Sequence, residues 1–393
     1  MRAKTILTYA FVPLMCLALA AGCSPETSAP AAPAVPDVIK IGGNFELTGG
    51  VAEFGKKGEN GAELAIKQTN AKGGVLGKQI SYVGADNKSE AGESTVAAAK
   101  LATQDKVIGI IGPMTIGNTL AEVQVVTDNK VPVITPSGTS ATITMTKEGK
   151  LNSWLFRACF IDPFQGEVAA AYAIDTLKAS KAALVIDQKG NYAKGLADSF
   201  KTTFEKAGKQ IVASEQYVAG QDTDFRAILT NIMAMNPDVV FVPGYYNEVG
   251  MIIKQARKMN LNVAFLGGDG WGIGPIVDIA GKEAMNNTFY VDVAIDKTQF
   301  DSFSAAYKAE YAQDPDGFAV LGYDAANMMI QAIQTAGSVD TEKIRQALEN
   351  MKGFKGVSGE INVEPATHNP KKSASIYKFE AGQIVLATTV NLK

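Results

Sequence analysis

The chain has 393 residues, with 40 acidic against 37 basic side chains and a formal net charge of −3, so no excess of positive charge marks it for nucleic acid. One histidine and three cysteines argue against a histidine-based catalytic triad, a histidine-ligated zinc site and a cysteine cluster. Whatever chemistry the chain performs must come from carboxylates, hydroxyls, aromatic rings and backbone amides.

Arg2 and Lys4 precede an apolar run, roughly Ile6 to Ala21, that ends in LAAGC at Leu19–Cys23. These flanks are those of a cleavable export leader rather than of a membrane-spanning helix. LAAGC also resembles a bacterial lipobox, with Ala20 in place of the leucine most usual three positions before the cysteine. That resemblance implies removal of residues 1–22 and lipidation of Cys23; an ordinary secretory leader with an incidental Cys23 is the alternative. The next stretch, SPETSAPAAPAVP, has almost nothing bulky and apolar to bury, so residues 23–36 are expected to form a flexible tether. Lipid and tether together would hold the domain at a membrane surface. Without Arg2 and Lys4, 35 basic residues face 40 acidic ones, a charge of −5. No further run of 18 or more apolar residues follows, so nothing else is expected to span a bilayer. Cys159 is then the one cysteine of the folded part, and no internal disulfide is expected.

From Asp37 onward, short β-branched runs alternate with helical patterns. VIKIGG at Val38–Gly43 precedes an amphipathic stretch stopped near Asn70 and Gly73–Gly74. QISYVGA at Gln79–Ala85, an alanine-rich helix from Glu90 to Thr103 and KVIGIIG at Lys106–Gly112 follow. AALVID (Ala182–Asp187), DVVFVPG (Asp238–Gly244) and VAFLGG (Val263–Gly268) are each followed by helical pattern. Continuous apolar strands alternating with helices indicate α/β architecture with parallel sheets covered on both faces. The length, about 355 residues, suits two domains. An internal repeat agrees: the strand–loop–helix–strand–loop segment beginning at Asp105 is matched by one beginning at Asp238. Gly112 to Ser137 and Gly244 to Asp269 are the same distance along the chain, which makes Ser137 and Asp269 counterparts in two similarly built lobes.

In open α/β sheets ligands bind beyond the carboxyl ends of the strands, where these loops fall. TPSGTS at Thr135–Ser140 offers hydroxyls and free N–H groups for an anion. GPMTIGNT at Gly112–Thr119 leads into a helix, with Asn118 or Thr119 expected as N-cap and the positive helix end facing the ligand. On the other lobe, LGGDGWGIG at Leu266–Gly274 carries one acid, Asp269, among glycines expected to let backbone approach a ligand. With Tyr245 and Tyr246 nearby, that carboxylate suits an ammonium group. An anion site facing a cation site fits a zwitterion, and the smallest common one is an α-amino acid.

Four segments carry a family resemblance: FELTGGVAEFGKKGENGAELAIKQTNAKGGVLGKQI (Phe45–Ile80), VPVITPSGTS (Val131–Ser140), NYAKGLADSF (Asn191–Phe200) and PGYYNEVGMIIKQARKMNL (Pro243–Leu261). From about Val38 to the C-terminus the chain resembles the substrate-binding proteins of branched-chain (leucine/isoleucine/valine) amino-acid ABC transporters, of the type I periplasmic-binding fold. That fold has two Rossmann-like lobes joined by three crossovers, here expected near Ala158, Asp292 and Pro365. The N-terminal lobe would be residues 37–158 with 293–365, the C-terminal lobe 159–292 with 366–393. By the same resemblance Ser137 and Thr139 would bind the ligand carboxylate, Tyr245 and Asp269 its ammonium, Tyr192 would close from the second lobe, and Phe54 would pack on the side chain. Ile116 stands where the family commonly has a serine, with Thr115 as a substitute, and Asp269 where it has a glutamate.

The expected function is therefore an exported, membrane-anchored binding lipoprotein, monomeric and without cofactor. It would capture a small aliphatic amino acid by hinge closure and deliver it to ABC permease subunits. The alternatives are the same fold binding an amide, urea or an aromatic acid, or a ligand sensor. An enzyme on this scaffold is disfavoured by the lack of G-x-G-x-x-G after the first strand and of any G-x-S-x-G elbow.

Overall fold

The structure, a computed structural model, describes residues 1, 3–8, 10 and 35–390; Cys23 and most of the expected leader and tether lie outside the described residues. The first sheet opens with β1 (Val38–Phe45), in which Ile39, Ile41 and Phe45 are fully buried. Helix α1 (Ala52–Ala71) carries the chain to β2 (Gln79–Asp86), parallel to β1 with Val38 opposite Gln79. Next come α2 (Ala91–Lys100), β3 (Ile110–Ile111), α3 (Ile116–Asn129), β4 (Val133–Thr135) and β5 (Leu155–Arg157). The resulting order is β2-β1-β3-β4-β5, parallel throughout.

The chain then builds a second sheet. Its elements are α4 (Asp162–Asp175), β6 (Lys181–Asp187), α5 (Asn191–Lys206), β7 (Gln210–Tyr217), α6 (Arg226–Ala234), β8 (Val239–Phe241), α7 (Tyr246–Lys258), β9 (Ala264–Gly267), α8 (Pro275–Ala280) and β10 (Thr288–Val293). Helices α9 (Lys297–Tyr311), α10 (Gly317–Ala336) and α11 (Thr341–Glu349) and the hairpin of β11 (Phe354–Gly356) and β12 (Gly359–Ile361) follow. A last crossing leads to β13 (Ala374–Glu380) and β14 (Gln383–Val390). The second sheet has the order β14-β13-β10-β9-β8-β6-β7. Its core is parallel, and β13 and β14 add an antiparallel edge. Every residue of β4, β5, β8 and β9 is buried, which is why β8 and β9 read as unbroken apolar runs.

Helix α10 belongs to the first lobe because it lies along α1. A Cβ on Gly61 would sit 2.1 Å from the Ala319 carbonyl oxygen, and one on Gly322 2.0 Å from that of Gly58. Alanine at either position would push the helices apart, so the glycines offset their poor helix propensity by close packing.

Three local expectations need correction. The alanine-rich helix ends as α at Lys100 and continues as a π-helical turn over Leu101–Asp105. Of Lys106–Gly112, Ile110 and Ile111 form β3 proper, while Ile108 and Gly109 hydrogen-bond to β1 and Gly112 to β4 on either side of it. The third crossing lies past Pro365, because residues up to Pro370 stay against the first sheet. The His368 ring stacks on Phe156 of β5 at 4.1 Å, its Nδ1 lies 2.9 Å from the Leu155 carbonyl oxygen, and Thr144 Oγ1 donates to Asn369 Oδ1 at 2.9 Å.

Candidate functional site

Each sheet reverses its strand order once, between β1 and β3 in the first and between β6 and β8 in the second. Crevices open at the carboxyl ends of strands on either side of such a reversal. Glu46 follows β1, residues 112–115 follow β3 and residues 136–140 follow β4; from the other lobe Tyr245 comes after β8 and Asp269 after β9. The equal spacing of the two half-repeats hides a compensation. α3 starts four residues after Gly112 and α7 two after Gly244, whereas β4 starts four residues after α3 ends and β9 six after α7.

These loops meet around a narrow cavity of about 10 Å³, room for little more than one water molecule. Phe54, Thr115, Ile116, Ser137 and Thr139 of the first lobe line it together with Tyr192, Tyr245 and Asp269 of the second. All eight residues singled out in the sequence thus face one space. Met114, Phe318 and Gly270 complete the wall, and the first two carry no signal in the local sequence. The lobes touch over the cavity: the Phe54 ring is edge-on to Tyr245 at 5.3 Å and to Tyr246 at 5.1 Å, and Asn247 Nδ2 donates to the Gly50 carbonyl at 2.6 Å.

On the first-lobe wall, Thr139 Oγ1 is buried and makes no hydrogen bond of good geometry among the described residues, although it lies close enough to the Asp162 carboxyl to lower that group's pKa. The backbone N–H groups of Ser137 and Thr139 likewise donate to no described group, while the Ser137 hydroxyl is used internally, donating to the Met114 carbonyl at 2.8 Å. Behind this loop lies Arg157, fully buried, with Nη1 donating to the Gly138 carbonyl at 2.6 Å and Nη2 to the Ser140 carbonyl at 2.7 Å. Cys159 Sγ reaches the Gly138 oxygen at 3.4 Å, and burial pushes its thiol up to about 12.

Thr115 differs from expectation. Its N–H and hydroxyl donate to Glu46 Oε1 at 3.1 and 2.8 Å, Met114 N–H donates to Oε2 at 3.1 Å and Asn118 Nδ2 to Oε1 at 2.9 Å. The buried Glu46 carboxylate therefore sits at the start of α3, a stabilising place for negative charge. The Thr115 hydroxyl proton is committed there, which leaves that side chain unable to replace a serine as donor to an outside anion. The N-cap is Thr115, not Asn118 or Thr119, because Asn118 turns back to Glu46 and the Thr119 hydroxyl donates to the Thr115 carbonyl at 2.7 Å. Ile116 is buried and apolar at the cavity edge.

On the second-lobe wall, Asp269 Oδ1 accepts from Gln165 Nε2 at 2.9 Å and from the Tyr192 hydroxyl at 2.8 Å; Oδ2 takes no side-chain hydrogen bond. No cationic side chain among the described residues lies within 4.0 Å of this carboxylate. Burial raises its pKa, opposed by the Gln165 and Tyr192 hydrogen bonds. The Tyr192 and Tyr245 rings stack at 5.2 Å, and the Tyr245 hydroxyl has no protein partner among the described residues. Asp162, at the start of α4, is held up to about 7 by burial and by the charge of Asp269.

The glycines around Asp269 serve packing more than ligand approach. A Cβ on Gly267 would meet the Trp271 ring at 2.1 Å, and one on Gly268 would meet Gln165 Oε1 at 2.1 Å and the Tyr192 hydroxyl at 2.4 Å. Of the loop's glycines only Gly270 lines the cavity. The expectation is corrected accordingly: these residues are small so that the side chains orienting the carboxylate fit beside them.

The sequence profile of the family described as periplasmic binding protein matches residues 38–383. The chain belongs to that family. Among relatives of this binding protein, the Leu/Ile/Val-binding protein BraC3 of Rhizobium johnstonii is 34% identical over 358 residues, spanning 89% of this chain and 94% of that one. The leucine-, isoleucine-, valine-, threonine- and alanine-binding protein of Pseudomonas aeruginosa is 33% identical, over 79% of this chain and 82% of its own. Among solved structures, the branched-chain amino acid transporter substrate-binding protein LivJ of Streptococcus pneumoniae, in complex with isoleucine, superposes with a TM-score of 0.84 at 37% identity, covering 90% of this chain and all of that one. The binding protein thus shares with them the α/β fold of two lobes.

Proposed function

We propose that this binding protein captures a small α-amino acid with an aliphatic, branched side chain between its lobes and presents it to the permease of an ABC transporter. One observation carries the reading. Donors on the first-lobe wall, Thr139 Oγ1 and the N–H groups of Ser137 and Thr139, oppose the Asp269 carboxylate, which has no cation beside it, and the Tyr245 hydroxyl on the second, across one narrow cavity. Buried polar groups without partners are costly, and a zwitterion satisfies both walls at once. Phe54, Ile116, Met114 and Phe318 then surround its side chain, and the relatives' names favour leucine, isoleucine and valine.

The carboxylate would be held by Thr139 and the Ser137 N–H, the ammonium by Asp269 and Tyr245, with Tyr192 fixing the orientation of Asp269. Capture is by closure: the first lobe binds the anionic end and the ammonium draws the second lobe over it. The moving bodies are residues 37–158 with 293–370 and residues 159–292 with 371–393. In this reading the protein is exported, lipidated at Cys23 and tethered to a membrane, and it catalyses nothing.

A thermal-shift panel on the chain from Asp37 tests the assignment, with aliphatic and aromatic amino acids beside amides, urea and benzoate. A micromolar ligand at millimolar concentration stabilises by about 4 kcal/mol. Stabilisation by leucine, isoleucine or valine that vanishes in Asp269→Ala is the expected result. Stabilisation only by compounds lacking an amine would overturn the role of Asp269 and the amino-acid reading with it.

A further inference from the structure

Arg157 stands out as a fully buried cation with no ion pair. It makes two short hydrogen bonds to the carbonyls of Gly138 and Ser140 and a long one, 3.4 Å, to Thr144 Oγ1, and its Nε has no partner among the described residues. A buried charge of this kind is expensive unless something compensates it. Asp162 is the nearest carboxylate acting on it, and it lies beyond ion-pair distance. The guanidinium grips the oxygen of the Gly138–Thr139 peptide. In a trans peptide the C=O and N–H point in opposite directions, so a carbonyl held toward Arg157 aims the Thr139 N–H forward into the cavity. The same contact polarises that peptide and makes its N–H a stronger donor. Across the cavity Asp269 is the mirror case, an anion with no cation beside it.

We infer that Arg157, without touching the ligand, is the residue that makes the site select for a carboxylate. The inference rests on the amino-acid reading above. A bound zwitterion completes an alternating series of Arg157, ligand carboxylate, ligand ammonium and Asp269, so that two charges buried singly on opposite walls are compensated by one molecule. A ligand that keeps the amine but lacks the carboxylate leaves the Arg157 end unfilled. Selectivity is a difference between two affinities, and Arg157 sets the first-lobe half of it as a positioning residue.

The test compares L-leucine with L-leucinamide, which keeps the amine and side chain and loses the negative charge, by titration calorimetry. Sites built around a polar group reject analogues lacking it by large factors, so the wild-type protein should prefer leucine by at least about a hundredfold. Arg157→Gln should lower that preference by about tenfold or more, mainly through leucine, because a buried charge interaction of this kind is worth at least one decade. Arg157→Lys, which keeps the charge, should retain most of it. Equal weakening of both ligands in Arg157→Gln, or a lysine variant as unselective as the glutamine one, would reduce Arg157 to a scaffold role and overturn the inference. In the wild-type protein the Arg157 Nε–H resonance should move on adding leucine and stay in place with leucinamide; a resonance unmoved by both refutes the inference even if the glutamine variant fails to fold. Failure of wild-type protein to bind leucine at all would instead sink the amino-acid reading.

Discussion

Replacing Asp269 with asparagine removes one charge and almost no volume. Oδ1 of the new side chain can keep the hydrogen bonds from Gln165 Nε2 and the Tyr192 hydroxyl, both made to that one oxygen, and the amide nitrogen then takes the place of Oδ2, facing the cavity. A ligand ammonium would meet a donor instead of a carboxylate. Removing one partner of a buried charge pair costs about 2–5 kcal/mol, and at about 1.4 kcal/mol per decade this weakens leucine binding by about thirtyfold to a few thousandfold. With ligand at a thousand times the wild-type Kd, the wild-type protein gains about 4 kcal/mol; a variant weakened three-hundredfold gains about 0.9 kcal/mol under the same conditions. Denaturant melts with and without leucine read both numbers. The ligand-free variant should be no less stable than wild type, since a desolvated carboxylate has been neutralised. Undiminished stabilisation by leucine in Asp269→Asn would refute the reasoning, as would a loss of ligand-free stability as large as the loss of binding.

Asp162 makes the ligand-free protein sensitive to pH. Its pKa is raised from 3.8 to about 7, so its stabilising contribution is full below the unfolded value and is lost as pH rises toward and through about 7; Asp162→Asn should flatten that decline in denaturant melts between pH 4 and 7. Leucine affinity should fall on the acid side as Asp269 protonates, at a higher pH than an ordinary aspartate would give, because burial raises its pKa. Tyr192→Phe removes a hydrogen bond that lowers it, so calorimetry should show binding about tenfold weaker and an acid limb moved to higher pH. Asn247→Ala deletes the 2.6 Å bond to Gly50 that spans the lobes; a net value of about 0.5–1.5 kcal/mol should appear as ligand release faster by up to about tenfold, with the association rate unchanged in stopped-flow traces.

The alternation of strands and helices, the two half-repeats and the loops of Ser137, Thr139, Tyr245 and Asp269 were legible because each depends on local pattern or on spacing along one segment, whereas Phe54 and Tyr192 of the same wall came only from the family resemblance. The spacing of Gly112–Ser137 and Gly244–Asp269 located both walls although the loops and turns within it differ and cancel. What escaped was non-local. Glu46 reads as one acid after a strand, and nothing near it says that its carboxylate occupies the start of a helix 70 residues later in the chain. Arg157 ends a core strand in LFRACF, where a single cation looks like an edge residue; only the fold sets it behind Gly138. The family resemblance puts the last crossing near Pro365, whereas the stacking of His368 on Phe156 keeps the chain with the first lobe a few residues longer.

Cys159 has a practical bearing. It is the only thiol among the described residues, it is fully buried, and burial pushes it up to about 12, so it stays protonated and out of reach of alkylating reagents. In a chain starting at Asp37, one cysteine engineered at the rim, for instance in place of Asn247, would take up a fluorescent maleimide without removal of the native one. The dye would sit where the two halves come together, and its emission would report the free amino-acid concentration in real time.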